Sequence, residues 1–240
     1  MQFEDIFLDS IDSTQTFAKT HQKSFNPLAI TSITADQQTQ GIGRFKRKWL
    51  SPTGNLYTTF FFKLPKKSLH LTSIGLVLAI SLIEILKEKN IVSFIKWPND
   101  ILINNKKVAG ILCEVQSDKD DFSLFLGIGI NINTDESFLK KIDKDATSLK
   151  VETKKEHNLK DFLKELQTKF LKHLEIFRLK GFTPFHSAFE NSLLNIGKKI
   201  TFYDGQNEYS GILHSIDAQG ALNLYMEDKS IKTFTAGEII

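Results

Sequence analysis

Lys96-Trp97-Pro98-Asn99-Asp100-Ile101-Leu102-Ile103-Asn104-Asn105-Lys106-Lys107-Val108-Ala109-Gly110-Ile111-Leu112 is the most informative stretch of the chain. Residues 94–96 and 101–103 read as short strands, and Asn104-Asn105 as a hairpin turn leading into a longer strand over 108–115, because asparagine tolerates the positive φ of tight turns. Pro98 biases Trp97 toward an extended conformation, which holds Lys96 and Asn99-Asp100 at a strand end. The same stretch sets lysines on both sides of an amide and a carboxylate, Asn99 and Asp100, beside glycine and aliphatic residues. That is the equipment of a site for an anionic, partly apolar small molecule. A turn in which Asn99 and Asp100 bond their own backbone is compatible with it.

Strands are predicted upstream over residues 3–8, 28–35 and 56–62. Ser13-Thr14 caps a short helix toward Lys23, and Ser73 caps an apolar helix over 74–87. Residues 36–52, polar, basic and glycine-containing, read as a loop. Downstream, a strand over 122–132 contains Gly127 and Gly129, which mark either a close approach or a bulge. Asn158 then caps a helix with apolar residues at helical spacing, Gly181 stops it, and Thr183-Pro184 starts another through Leu194. From Gly197 four or five short strands alternate with tight turns, as in a small SH3-like β-barrel. The expected fold is α+β: a mixed-sheet domain over residues 1–195, followed by a small barrel over 196–240.

At 240 residues, 41% hydrophobic and 25% charged, the chain can bury a full core. Its net charge is +3, with the lysines spread along the chain, which argues weakly against a nucleic-acid binder. No secretory signal is evident at the acidic N-terminus, and the apolar run 74–83 is too short to span a membrane. The single Cys113 excludes an internal disulfide and fits a cytoplasmic setting. The six histidines (His21, His70, His157, His173, His186 and His214) show no metal-ligand spacing. Of the 31 Lys+Arg residues three are arginines, and Arg44 and Arg47 fall together in the 36–52 segment. A lysine-rich chain that keeps arginine there needs the planar five-donor fork that lysine lacks. In Gly41-Ile42-Gly43-Arg44-Phe45-Lys46-Arg47-Lys48-Trp49, glycines admit close backbone approach while guanidinium groups neutralise phosphate.

The blocks Ser13-Thr14, Gln38, Gly41-Ile42-Gly43-Arg44, Arg47-Lys48-Trp49-Leu50-Ser51-Pro52-Thr53-Gly54-Asn55-Leu56-Tyr57, Lys96-Trp97-Pro98-Asn99-Asp100-Ile101, Lys107-Val108-Ala109-Gly110-Ile111-Leu112-Cys113-Glu114 and Gly127-Ile128-Gly129-Ile130-Asn131-Ile132-Asn133 occur in order. In this order they resemble the biotin protein ligases, over about residues 12–133. The resemblance implies a catalytic domain of the biotin/lipoate ligase type. Such an enzyme adenylates biotin with ATP and Mg²⁺, then passes the biotinyl group to a lysine of a biotin carboxyl carrier protein. By the same resemblance Ser13, Thr14, Gln38, Gly41, Gly43, Gly110, Gly127 and Gly129 would line the biotin pocket. Arg44 and Arg47 would close over the adenylate, and Lys107 would meet the carboxylate and α-phosphate. Lys96, Asn99 and Asn131 would serve the nucleotide, Asp100 its Mg²⁺, and Trp49 the adenine side.

The chain departs from the family pattern at Gln15, where asparagine is usual, at Ile42, where arginine is common, and at Lys46, where glycine is usual. A monofunctional ligase without operator DNA binding is expected, with homodimerisation through a sheet edge left open. The 36–52 loop is expected to be mobile without ligand, since packing it down gathers like charges until an anion arrives. Competing readings are a lipoate or octanoate ligase on the same fold, and a non-catalytic binding module.

Overall fold

A computed structural model describes residues 1–66, 71–142 and 145–240, so His70 lies outside the described residues. Strands β1 (Phe3–Ile11), β2 (Ile30–Gln38), β3 (Leu56–Pro65), β4 (Phe94–Lys96), β5 (Asp100–Ile103), β6 (Lys106–Ser117) and β7 (Asp121–Ile130) form one mixed sheet. Its order is β1-β2-β3-β7-β6-β5-β4, with β1 parallel to β2 and the other pairs antiparallel. The 104–105 hairpin forms as predicted, with both asparagines at positive φ, 50° and 63°.

Strand alternation assigns the two faces of this sheet. From β3, Phe60 and Phe62 enter the main core, and Phe60 stacks on Phe170 at 5.5 Å. That face is covered by α2 (Ile74–Glu88) and α5 (Leu159–Lys180). Asn158 caps α5 by accepting from the amides of Lys160 and Asp161 at 2.9 and 3.2 Å, a bond set worth about 1 kcal/mol. Gly181, at φ 64°, ends that helix as expected. Phe61 points the other way, into a small cluster with Ala18, Ile33 and Phe125 beneath α1 (Thr14–His21). The odd-numbered side of β3 and β7 therefore faces α1 and, beyond the end of that helix, an open hollow.

Two helix expectations are corrected. Ser73 does not cap α2: it ends a 3₁₀ turn at Leu71–Ser73 and gives its hydroxyl to Gln219 O, tying the helix start to the second sheet. The helix predicted from Thr183 through Leu194 is a 3₁₀ turn at Thr183–Phe185 followed by α6 (His186–Asn191), the short α3 (Glu136–Leu139) and α4 (Leu149–Thr153) having come earlier in the chain. Leu194 N instead bonds Ile95 O at 2.8 Å, so the backbone here pairs with the edge strand of the main sheet and not with a further helical turn.

The second sheet is antiparallel, with β8 (Lys199–Tyr203), β9 (Glu208–Ile216), β10 (Leu222–Tyr225), β11 (Ile231–Phe234) and β12 (Glu238–Ile239) in the order β11-β10-β9-β8-β12. Its buried Phe202, Leu213, Leu224 and Phe234 belong to the same continuous core as the first sheet. Trp97 serves this junction: it is buried, its ring lies 5.8 Å from Phe202, and Nε1 donates to Gly220 O at 3.0 Å. Among the described residues no helix is long and apolar enough to cross a membrane.

Candidate functional site

Bare patches of sheet decide where a ligand can lie. Gly127 pairs with Thr59 and Leu112, and Gly129, two residues on and on the same face, pairs with Tyr57 and Gly110. Gly110 in turn pairs with Asp100. β7 keeps its register through both glycines, so close approach and not a bulge is their reason. A Cβ at Gly127 would stand 2.7 Å from Gln15 Oε1, and one at Gly129 2.6 Å from the Trp49 indole. At Gly110 it would meet Trp49 and Lys107 at 3.0 Å.

Above these glycines lies a cavity of about 420 Å³, a size suited to a small-molecule ligand. Two residues along a strand cover about 7 Å, and over that distance the lining changes character. The Gly127 end is neutral, lined by Ser13, Thr14, Gln15, Gln38 and Thr59. Thr14 offers its amide and hydroxyl to Gln38 Oε1 at 2.9 and 3.2 Å, and Thr59 donates toward Thr14 Oγ1 at 2.9 Å or Gln15 Oε1 at 3.2 Å. Both threonine protons are thus spent internally, which leaves lone pairs for a ligand's N–H groups.

The Gly129–Gly110 end is charged, lined by Arg44, Arg47, Asn99, Asp100, Lys107 and Glu238. Lys107 Nζ stands 2.6 Å from Asp100 Oδ1 and 5.1 Å from the centre of the Trp49 ring. Arg44 donates to Asn99 Oδ1 at 3.2 Å and to Gly237 O at 2.9 Å. Burial pulls its guanidinium below the ordinary value, against the opposing pull of Glu238 and Asp100. Arg47 grips both carboxylate oxygens of Glu238, at 2.6 and 2.5 Å, and that hydrogen bonding raises it. The 36–52 segment is thus packed down, with bridges Gln38↔Ser51 and Ile42↔Lys48, and a carboxylate of the chain itself offsets the like charges. Phe45 and Lys46 pay for the turn with left-handed φ of 55° and 58°, about 1–2 kcal/mol each, at the point where the resemblance leads one to expect glycine.

Of the sequence-predicted residues, Ser13, Thr14, Gln38, Gly43, Arg44, Arg47, Trp49, Asn99, Asp100, Lys107, Gly110, Gly127, Gly129 and Asn131 share this lining. Gly41 and Lys96 do not. Gly41 lies beneath the loop against Trp49 O, and Lys96 sits on the edge strand opposite Asp100. Ile42 does line the cavity, so an apolar side chain stands where a cation was expected. Thr59 and Glu238 went unnoticed in the sequence. The alternation of β3 could have signalled Thr59, whereas Glu238 comes from 191 positions beyond Arg47 with no local mark. Trp49 Nε1 is a buried donor without a partner among the described residues, a state that costs about 1–3 kcal/mol until something accepts from it. Burial, aided by Glu114, pushes the Cys113 thiol up to about 12, which disfavours its thiolate. No three His, Cys, Asp or Glu side chains converge among the described residues; the cavity is lined by the carboxylates Asp100, Asp145 and Glu238, of which Asp100 pairs with Lys107 and Glu238 with Arg47.

Residues 7–131 match the model of the biotin/lipoate A/B protein ligase family. A bifunctional ligase/repressor BirA of Bacillus spizizenii is 32% identical over 237 residues, covering 96% of this chain and 72% of the relative. A biotin–[acetyl-CoA-carboxylase] ligase of Paracoccus denitrificans is 30% identical, covering 80% and 82%. Among solved structures, a biotin protein ligase from Aquifex aeolicus in complex with biotin and ATP superposes with a TM-score of 0.85, at 33% identity, over 99% of this chain and 97% of that one.

Proposed function

The chain belongs to the biotin/lipoate A/B protein ligase family, and from that premise we propose that it adenylates biotin and transfers the biotinyl group to a lysine of a biotin carboxyl carrier protein. The observation that carries this is the two-ended cavity over three glycines. A cyclic urea suits the neutral end, where spent hydroxyl protons leave acceptors for its N–H groups. Its carboxylate and the nucleotide's phosphates suit the cationic end.

In the first step a carboxylate oxygen of biotin attacks the α-phosphorus of ATP, the bond to the bridging oxygen breaks, and pyrophosphate departs. Lys107, held by Asp100, is set to donate to the oxygens on which negative charge builds. Arg44 and Arg47 add planar donors from the loop, and Trp49 covers the sheet between the two ends. In the second step the carrier's lysine amine attacks the acyl carbon, AMP leaves, and the amine gives up a proton. Mg²⁺ is ordinarily held by one or two carboxylates together with phosphate oxygens and water, so Asp100 would serve as its protein ligand and the ion would neutralise phosphate charge. We place the boundary between the ligase domain and the SH3-like part near residue 195, and a cytoplasmic setting accords with the single cysteine. Nucleic-acid binding and a dimer form no part of this reading.

The direct test is ATP–pyrophosphate exchange with biotin or lipoate as the added acid. Exchange driven by biotin is expected; exchange driven by lipoate alone would overturn the substrate, and exchange with neither the activity. Arg44→Gly removes the contacts to Asn99 and Gly237 that hold the loop over the cavity. The variant is expected to release biotinyl-AMP, seen as biotin appearing on lysines of a bystander protein. Retention of the adenylate at the wild-type level would refute the closing role.

A further inference from the structure

Gln15 is the second residue of α1, and its side chain reaches across the neutral end of the cavity onto β6 and β7. Nε2 donates to Glu114 Oε2 at 2.7 Å and to Phe125 O at 3.1 Å, which occupies both of its protons. Oε1 lies 3.2 Å from the Thr59 hydroxyl and 2.7 Å from where a Cβ at Gly127 would be. Behind it, Lys19 Nζ pairs with the same Glu114 oxygen at 2.7 Å. The residue is 4% exposed, both of its amide protons are bonded and it is pressed onto bare strand, so it has little freedom to retreat from a ligand.

We infer that Gln15 is a specificity-determining residue: a wall, braced by the Glu114–Lys19 ion pair, that sets the depth of the neutral end and excludes acids whose ring head is enlarged there. The inference rests on the reading that this end receives the urea ring. Asparagine, one methylene shorter, would stand back from the strand and deepen the cavity, and alanine would deepen it further. A wall that offers no free donor also adds nothing to phosphate binding, so its effect should be confined to the acid.

The test compares wild type, Gln15→Asn, Gln15→Ala and Glu114→Gln in ATP–pyrophosphate exchange. The acids are biotin and a biotin analogue methylated on a ureido nitrogen. Wild type is expected to prefer biotin strongly. Both Gln15 variants are expected to narrow the ratio of kcat/KM values by about tenfold or more, the scale of a single methylene in a pocket. The change should appear in KM for the acids, with KM for ATP unchanged. Glu114 lies outside the cavity lining, and Glu114→Gln should act in the same direction more weakly. Unchanged selectivity in the folded variants, or an equal rise in KM for ATP, would overturn the inference while biotin exchange by wild type left the functional reading intact. No exchange with biotin by wild type would sink both.

Discussion

Lys107→Met is expected to lower kcat for biotin-dependent pyrophosphate exchange by about 10²–10³-fold, the usual effect of deleting one donor aimed at developing negative charge. The side chain is partly exposed and its ion pair is with Asp100, so its removal leaves the cores of both sheets untouched. The neutral end lies on the other glycine row, and KM for biotin should therefore move little. Lys63→Met is the control: it also removes a lysine from an ion pair, with Asp118 at 3.0 Å, but at a position outside the cavity lining. A Lys107 variant with near-wild-type kcat would show that the cation only pairs with Asp100.

Gly129→Val is expected to weaken ATP binding by more than about tenfold while leaving the sheet intact. The residue has no positive φ and lies in regular pairing with Tyr57 and Gly110, so a β-branched residue suits the backbone well. Its Cβ, however, would fall 2.6 Å from Trp49 Cε2 and Nε1, closer than real contacts permit, and a valine adds two further methyl groups. Either the indole leaves the sheet, taking the adjoining loop with it, or the chain bends. An increase of more than about tenfold in KM for ATP is the scale set by misplacing a positioning group. It should come with a thermal midpoint near that of wild type. A variant that melts much earlier would place the cost in the fold, and unchanged ATP kinetics would show that the Trp49–Gly129 contact is dispensable.

Much of the first sheet was legible because its signals are local. The 104–105 turn, the β-branched and aromatic run of β3 and the capped α5 depend on residues a few positions apart, and each forms where expected. Ser73 misled for the converse reason: a serine before an apolar helix is an ordinary cap, and only Gln219, 146 positions away, draws its hydroxyl elsewhere. The place of Trp97 was not legible either, since its neighbours Asn99 and Asp100 belong to the site while its own ring packs against the second sheet. The packed 36–52 loop was unforeseeable from its own residues. The carboxylate that offsets its charges, Glu238, arrives on β12 at the far end of the chain.

The sequence by itself determined which groups are available: glycines two apart on one strand, a lysine and an aspartate on paired strands, two arginines in one loop. These are settled by periodicity and register, which operate over a few residues. Only the tertiary structure decided how they divide into a neutral and a charged end, which of them turn away, and that Gln15 and Glu238 join them. Such choices depend on contacts between elements distant in the chain, where burial and charge compensation, not local propensity, select the arrangement.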